Sequence, residues 1–346
     1  MTKKRMLALI IAACILGAIL LAVAVTAIVA NSKNDRSQPT GELGVWQSMI
    51  KDDALIKKVV TTGAHDAGTK GLPYFAATQD RTIEELLNCG TRYFDLRISY
   101  ADGKLLIYHG PSKGVTLDSV LDSVKDFMQK HTSEFVILDF QHFEEKNGEA
   151  QEGTILKLEE KLPDMLVVNG SAQSDVEFVD NLTMGEVRGK CLIVWGRETQ
   201  DILAKNYVFK RNNDNGTRDN SVIHSYYQGS LNKKSSSAYI KQALPKYIDE
   251  YKKVNSGLFV LQGQLTDGLF VFGPHTREAT HTDRMNAYVD SLKDSVDLNY
   301  INIIMRDFVT PDKNCRALKL NLTKNLVKTD SISLYEKMIN DNLKNK

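Results

Sequence analysis

The sequence predicts an α/β fold, a distorted (β/α)8 barrel formed by a single domain behind an N-terminal membrane-spanning helix, and three observations predict it. Apolar runs of strand length recur eight times, stretches with helical spacing lie between many of them, and polar residues gather where the runs end. Reactive side chains collect in this way at the C-terminal ends of the strands of a closed parallel barrel. An open doubly wound sheet is the alternative, because the same alternation of strand and helix builds it.

At the N-terminus, Lys3, Lys4 and Arg5 precede a charge-free apolar run over residues 6–30, and the polar stretch 31–36 follows. Twenty-five residues suffice to cross a bilayer as a helix. Basic residues only on the N-terminal side leave 1–5 as a cytoplasmic stub and put the rest on the far side of a membrane, as a single-pass signal anchor. Secretion after cleavage is the alternative, although the run exceeds the usual length of a signal peptide's apolar region. Ile11-Ala12-Ala13-Cys14 has the form of a lipobox, but sixteen further residues of membrane-like sequence follow Cys14. Residues 31–44, with Ser, Asn, Asp, Pro and Gly and few apolar side chains, read as a tether, and 45–346 as one folded domain without internal repeat or second linker. The 44 basic and 43 acidic residues leave a net charge of +1, a balance that does not suit a nucleic-acid partner. Cys14 lies in the apolar run, so Cys89, Cys191 and Cys315 are an odd set that excludes a full disulfide framework and suits burial as small hydrophobes.

The strand candidates are 58–62, 93–98, 105–108, 135–140, 191–195, 222–226, 258–262 and 301–305. Between them, Leu117, Val120, Leu121, Val124, Phe127 and Met128 repeat at helical spacing, and Thr82-Ile83-Glu84-Glu85 has the pattern of a capping box. Ala101-Asp102-Gly103 is too short for a helix and reads as a turn.

Polar residues follow the first three runs: His65 and Asp66 after the first, Asp95 and Arg97 in the second, His109 after the third. A lone histidine is more often a hydrogen-bonded structural residue than a catalyst. Two of them, each following an apolar run with a glycine within two positions, point instead to a shared site. Imidazoles titrate near neutrality, so one can take a proton from an attacking hydroxyl while the other gives one to a leaving oxygen. A permanently charged arginine between them can hold the charge that builds on phosphoryl oxygens, and this chemistry requires neither a metal nor another cofactor.

At these residues the sequence resembles the X region of phosphatidylinositol-specific phospholipases C, the bacterial enzymes and the single-domain X-containing proteins above all. The matching stretches are Thr62-Gly63-Ala64-His65-Asp66-Ala67-Gly68-Thr69, Arg92-Tyr93-Phe94-Asp95-Leu96-Arg97-Ile98, Tyr108-His109-Gly110-Pro111, and Phe135-Val136-Ile137-Leu138-Asp139-Phe140-Gln141-His142-Phe143. Segments 258–262 and 302–309 are similar to the last two barrel strands of that family, and the likeness runs from about Trp46 to about Asn321. The resemblance implies a TIM barrel and a phosphatidylinositol diacylglycerol-lyase. His65 would be general base for the inositol 2-hydroxyl, His109 general acid for the diacylglycerol oxygen, and Asp307 the carboxylate that orients His65. Arg97 would grip the phosphate, with Asp66 and Asp95 supporting it, and the products would be diacylglycerol and inositol 1,2-cyclic phosphate. The calcium-dependent animal relatives place metal ligands at the positions of Asp66, Asp95, Arg97 and Gln141. Arginine has no acceptor and glutamine is a neutral ligand, so the resemblance implies a metal-independent reaction here.

The substrate partner implied is a membrane phospholipid, phosphatidylinositol or a glycosylated inositol lipid. His142 stands where the bacterial enzymes tend to have a lysine near the ring hydroxyls, Arg197 follows the fifth run, and Tyr226 or Tyr227 is a candidate to stack on the ring. Leu72-Pro73-Tyr74-Phe75 and Leu269-Phe270-Val271-Phe272 are apolar enough to enter a bilayer interface, with Tyr74, Phe75, Phe270 and Phe272 as the contact residues; equally, they cover helix ends or form a further strand. Two other classes remain open at this stage: a catalytically inactive module that binds lipid or inositol phosphate on the same barrel, and a surface adhesive protein.

Overall fold

A computed structural model describes residues 3–32, 37–144, 148–196, 202, 204–212, 220–266 and 273–343. Its centre is a ring of eight parallel strands. These are β1 (Thr61–Ala64), β2 (Tyr93–Ala101), β5 (Val136–Glu144), β6 (Cys191–Trp195), β7 (Val208–Arg211), β8 (Ser221–Ser225), β9 (Leu258–Gln262) and β10 (Ile303–Arg306). Each pairs in parallel with the next, and β1 pairs with both β2 and β10, so the ring has no open edge and the doubly wound alternative is ruled out.

Two of the ten strands lie outside the ring. β3 (Lys104–His109) runs antiparallel to β2, and β4 (Ser112–Thr116) antiparallel to β3. Segment 105–108 is therefore a strand, as its apolar run suggests, but not a barrel strand. The two-residue turn at Asp102 and Gly103, both at positive φ, is too tight for the helix that would return the chain in parallel. The eighth barrel strand is β7, whose Val208-Phe209-Lys210-Arg211 joins apolar to basic side chains and so escapes a search for continuous apolar runs. The first strand begins at Thr61 rather than at 58, because Ile56–Lys58 is a 3-10 turn.

Between strands the expected helices form. Thr82 caps Ile83–Asn88 through a reciprocal capping box with Glu85, and Leu117–Lys130 buries all six of its periodic apolar side chains. Inside the ring Ile137, Leu192, Val194, Phe209, Val260 and Ile303 pack as one core, which Trp46 and Ile50 close from below. That apolar floor leaves the upper barrel for polar residues. Cys89, Cys191 and Cys315 are buried free thiols.

Lys3–Ser32 is a single helix of 30 residues. Among the described residues no helix is long and apolar enough to cross a membrane, so the structure lends no support to the expected transmembrane anchor at 6–30.

Candidate active site

Where β1 ends, His65 continues the ladder by donating its amide to the Arg306 carbonyl at 3.1 Å, and the chain then turns through Asp66 at φ 43°. This left-handed residue is unusual for a non-glycine, and it aims the buried Asp66 carboxylate at the barrel axis. His65 Nδ1 lies 2.7 Å from Asp307 Oδ1, and its Nε2 3.4 Å from Asp66 Oδ2. His109 arrives on the β3–β4 hairpin. Its Nδ1 donates to the Ala76 carbonyl at 2.7 Å, which fixes the tautomer and turns Nε2 toward the same Asp66 Oδ2, also at 3.4 Å. Arg97 closes the ring of cations by pairing its Nε with Asp66 Oδ1.

One carboxylate thus sits between two imidazoles and a guanidinium. Burial pulls the His65 imidazolium down, but the Asp66 and Asp307 carboxylates outweigh it and raise its pKa to about 9. Burial pushes Asp66 up, and Arg97, His65 and His109 more than reverse this, bringing it down to about 2. Asp95, whose Oδ2 lies 3.4 Å from the Asp66 amide, is pushed up to about 7 by burial and by the Asp66 charge. Burial also holds the Asp307 carboxyl above its ordinary value in spite of His65.

Two cavities meet at the histidines. A polar one of 300 Å³ is lined, beyond His65, His109, Asp66 and Arg97, by Gln141, His142, Tyr227, Gln262, Gln264 and Thr266. A second, of 210 Å³, is mostly apolar, with Phe75, Ala76, Pro111, Leu265 and Pro274 in its wall. A molecule with a polar head, a central anion and an apolar tail fits this sequence of environments.

The family model described as phosphatidylinositol-specific phospholipase C, X domain, matches residues 61–196. Residues 61–196 are thus similar to a phosphatidylinositol-specific phospholipase C X domain. Over 104 residues it is 31% identical to PI-PLC X domain-containing protein 2 of Homo sapiens, a match covering 29% of this chain and 34% of that protein. Over 139 residues it is 32% identical to the variant-surface-glycoprotein phospholipase C of Trypanosoma brucei brucei, covering 28% of this chain and 38% of the relative. The chain therefore spans little more than a third of the curated relatives it matches. Among solved structures, the phosphatidylinositol-specific phospholipase C from Listeria monocytogenes superposes with a TM-score of 0.64 at 21% identity, covering 81% of this chain and 98% of that one. A point mutant of the phosphatidylinositol-specific phospholipase C from Staphylococcus aureus gives 0.59 at 15% identity, covering 88% and 97%. At these identities the two structures speak for the fold alone.

The matched segment holds β1 to β6 and with them His65, Asp66, Asp95, Arg97, His109 and His142. Asp307 and Tyr227 come from the second half of the barrel. His142 reaches the polar cavity through a β-bulge: the β2–β5 register slips between Leu96 and Arg97, so Gln141 and His142 both line the cavity instead of pointing to opposite faces. Tyr227 lines it too. Tyr226 does not, because the pleat turns it outward, where it packs on Phe259 at 6.3 Å between sheet and helices; its expected stacking role is withdrawn.

Phe75 is 40% exposed at the mouth of the apolar cavity. Tyr74 is no free tip, since it stacks on His275 at 5.5 Å and hydrogen-bonds Thr276 through its hydroxyl. Arg197, Phe270 and Phe272 lie outside the described residues. Among the described residues, His65, Asp66 and Asp95 form one group whose ligand atoms lie within 4.8 Å of one another, close enough to hold a metal ion, although the Arg97 guanidinium already pairs with Asp66 there.

Supporting residues around these histidines carry no signal in the sequence. Gln79, fully buried, donates to the carbonyls of His65 and Arg306 at 3.0 Å each and accepts from the Val309 amide at 3.0 Å, so one side chain ties the His65 strand to the Asp307 strand. Lys313 Nζ, 2.5 Å from Glu278, donates to the carbonyls of Asp307 at 2.7 Å and Phe308 at 2.9 Å, bracing a turn in which Phe308 has φ 45°. Both sets of contacts join separate elements, and no periodicity or local motif marks them.

Proposed function

We propose that this chain is a phosphatidylinositol-specific phospholipase C that releases diacylglycerol and inositol 1,2-cyclic phosphate without a metal. One observation carries the reading: the Nε2 atoms of His65 and His109 both lie 3.4 Å from a single anionic oxygen, Asp66 Oδ2, whose carboxylate also pairs with Arg97. That is the company a phosphodiester in transfer requires, a base on one side, an acid on the other and a fixed positive charge on the phosphoryl oxygens. His65 takes the proton of the ring 2-hydroxyl, which attacks phosphorus. His109 protonates the departing diacylglycerol oxygen, and Asp307 orients His65 and stabilises its imidazolium. Arg97 holds the phosphate while keeping its bond to Asp66.

The polar cavity would take the ring and the apolar one the glycerol end of the lipid. The name of one curated relative, a variant-surface-glycoprotein phospholipase C, agrees with the chemistry. The test is release of water-soluble head group from phosphatidylinositol vesicles by the full chain in excess chelator. Undiminished turnover is expected; activity that vanishes in chelator and returns with calcium would assign the His65, Asp66 and Asp95 group to a metal and end the metal-free reading. A stable, folded chain that binds such vesicles and turns over no inositol lipid would instead be the inactive binding module.

Anchorage by residues 6–30, with the barrel on the extracytoplasmic side, is a separate proposal that rests on the charge-free apolar run and its basic N-terminal flank. Fractionation decides it: the full chain should sediment with membranes in high salt, and recovery in the soluble fraction would refute it.

A further inference from the structure

We propose that Gln264 reads the head group, its amide oxygen accepting a hydrogen bond from one free ring hydroxyl of the inositol. The proposal rests on the phospholipase reading above and adds to it a residue that selects the substrate.

Gln264 follows β9, in the half of the chain beyond the X-like segment, and its side chain lines the polar cavity although the residue is only 2% exposed. A buried amide must be hydrogen-bonded on both its ends or lose stability. One end is accounted for. Gln264 Nε2 points at Gln262 Oε1 at 3.4 Å, and Gln262 Nε2 in turn donates to Ser225 Oγ at 2.8 Å. With Gln262 presenting its oxygen, Gln264 presents its nitrogen there, and its own oxygen lies at the other end of the amide. Gln264 Oε1 has no hydrogen-bond partner among the described residues.

The relay is anchored rigidly at its far end and along its backbone. Ser225 is clasped by Asn212, which accepts from its amide at 2.9 Å and donates to its carbonyl at 2.8 Å. The Tyr239 hydroxyl donates to the Gln262 carbonyl, and His281 Nε2 donates to that of Gly263 at 3.0 Å, with Ser236 Oγ 2.8 Å from its other ring nitrogen. Gly263 itself packs so tightly that a Cβ there would stand 2.7 Å from the Met305 carbonyl oxygen. In this orientation Gln264 offers an acceptor with no protein partner among the described residues. It therefore favours a ligand donor, a hydroxyl. It discriminates against the same ring position carrying hydrogen, an ether or a phosphate, none of which donates a proton there.

The experiment uses a soluble substrate, the 4-nitrophenyl phosphodiester of myo-inositol, with analogues in which one ring hydroxyl other than the 2-hydroxyl is replaced by hydrogen. Gln264→Met removes the acceptor and should raise KM about tenfold while kcat stays within about twofold. Gln264→Glu keeps an acceptor oxygen in the same place in either protonation state and should hold KM within about threefold of wild type. For the wild type, one analogue should lose about tenfold in kcat/KM, and that analogue should lose nothing further in Gln264→Met. Should the methionine variant not fold, Gln264→Ala carries the same test.

A wild type that turns over the parent but loses no more than about twofold on every analogue overturns the proposal, as does an unchanged KM in Gln264→Met. A wild type inactive on the parent fails differently: it overturns the phospholipase reading, and the hydroxyl assignment with it.

Discussion

His109→Ala should lower kcat on phosphatidylinositol vesicles by about 10³-fold but on a 4-nitrophenyl inositol phosphodiester by less than about tenfold, whereas His65→Ala should lose about 10³-fold on both. The asymmetry follows from the leaving groups. A glycerol alkoxide must be protonated as it departs, and nitrophenolate need not be. The attacking hydroxyl needs a base in either case. The hydrogen bond from His109 Nδ1 to Ala76 leaves Nε2 as the only ring nitrogen free to donate across the site, so no tautomer shift restores the acid in another way. Equal losses on the two substrates in His109→Ala would remove it from the acid role. The base has a pH signature as well. With its pKa raised to about 9 by Asp66 and Asp307 against burial, His65 is protonated in most molecules at neutral pH, and kcat/KM should climb with pH until that titration is complete. Asp307→Asn deletes one of the carboxylates that raise the pKa, so the acidic limb should move to lower pH while kcat falls. A limb unmoved by Asp307→Asn would mean that another group is the base.

The parts of this site that are legible in sequence share a cause: they are local. His65 and Asp66 follow an apolar run and Asp95 and Arg97 lie within one, each run announcing a buried strand, and the Thr82 capping box and the Leu117–Lys130 stripe are likewise contained within one element. The route of His109 is hidden because an apolar run reports burial and not direction. Segment 105–108 alternates no differently in an antiparallel hairpin than in a barrel strand, and only the tight Asp102-Gly103 turn separates the two. β7 escapes for the opposite reason, since Lys210 and Arg211 interrupt its apolar pattern, Arg211 turning inward to pair with buried Asp139 at 3.3 Å. Gln79, which ties β1 to the segment after β10, and the Lys313–Glu278 pair act through contacts between distant segments, which no sequence window reveals. Tyr226 and Tyr227 show the sharper limit: adjacent tyrosines at the end of one strand face opposite sides of the sheet, and which of them faces the cavity depends on register.

Arg97→Met should reduce kcat and kcat/KM together by about 10³-fold, and Arg97→Lys by about 10²-fold despite keeping the charge. Arg97 enters the cavity from β2, opposite His142 at the bulge of β5, and already pairs its Nε with Asp66. A guanidinium can keep that bond to Asp66 with one nitrogen and still face phosphoryl oxygens with the others, because its donors are spread around a plane. An ammonium has a single nitrogen. Lysine at this position must share one centre between Asp66 and the phosphate, and the buried carboxylate, already in place and held ionised by His65 and His109, keeps most of it. The phosphate then carries its growing charge with less support in the transition state than in the bound ground state, so kcat falls while KM changes little. Paired measurement of kcat and KM for the two variants separates this from simple loss of affinity. A lysine variant within about threefold of wild type, or a methionine variant whose whole loss lies in KM, would make Arg97 a residue that attracts the phosphate and not one that stabilises its transfer.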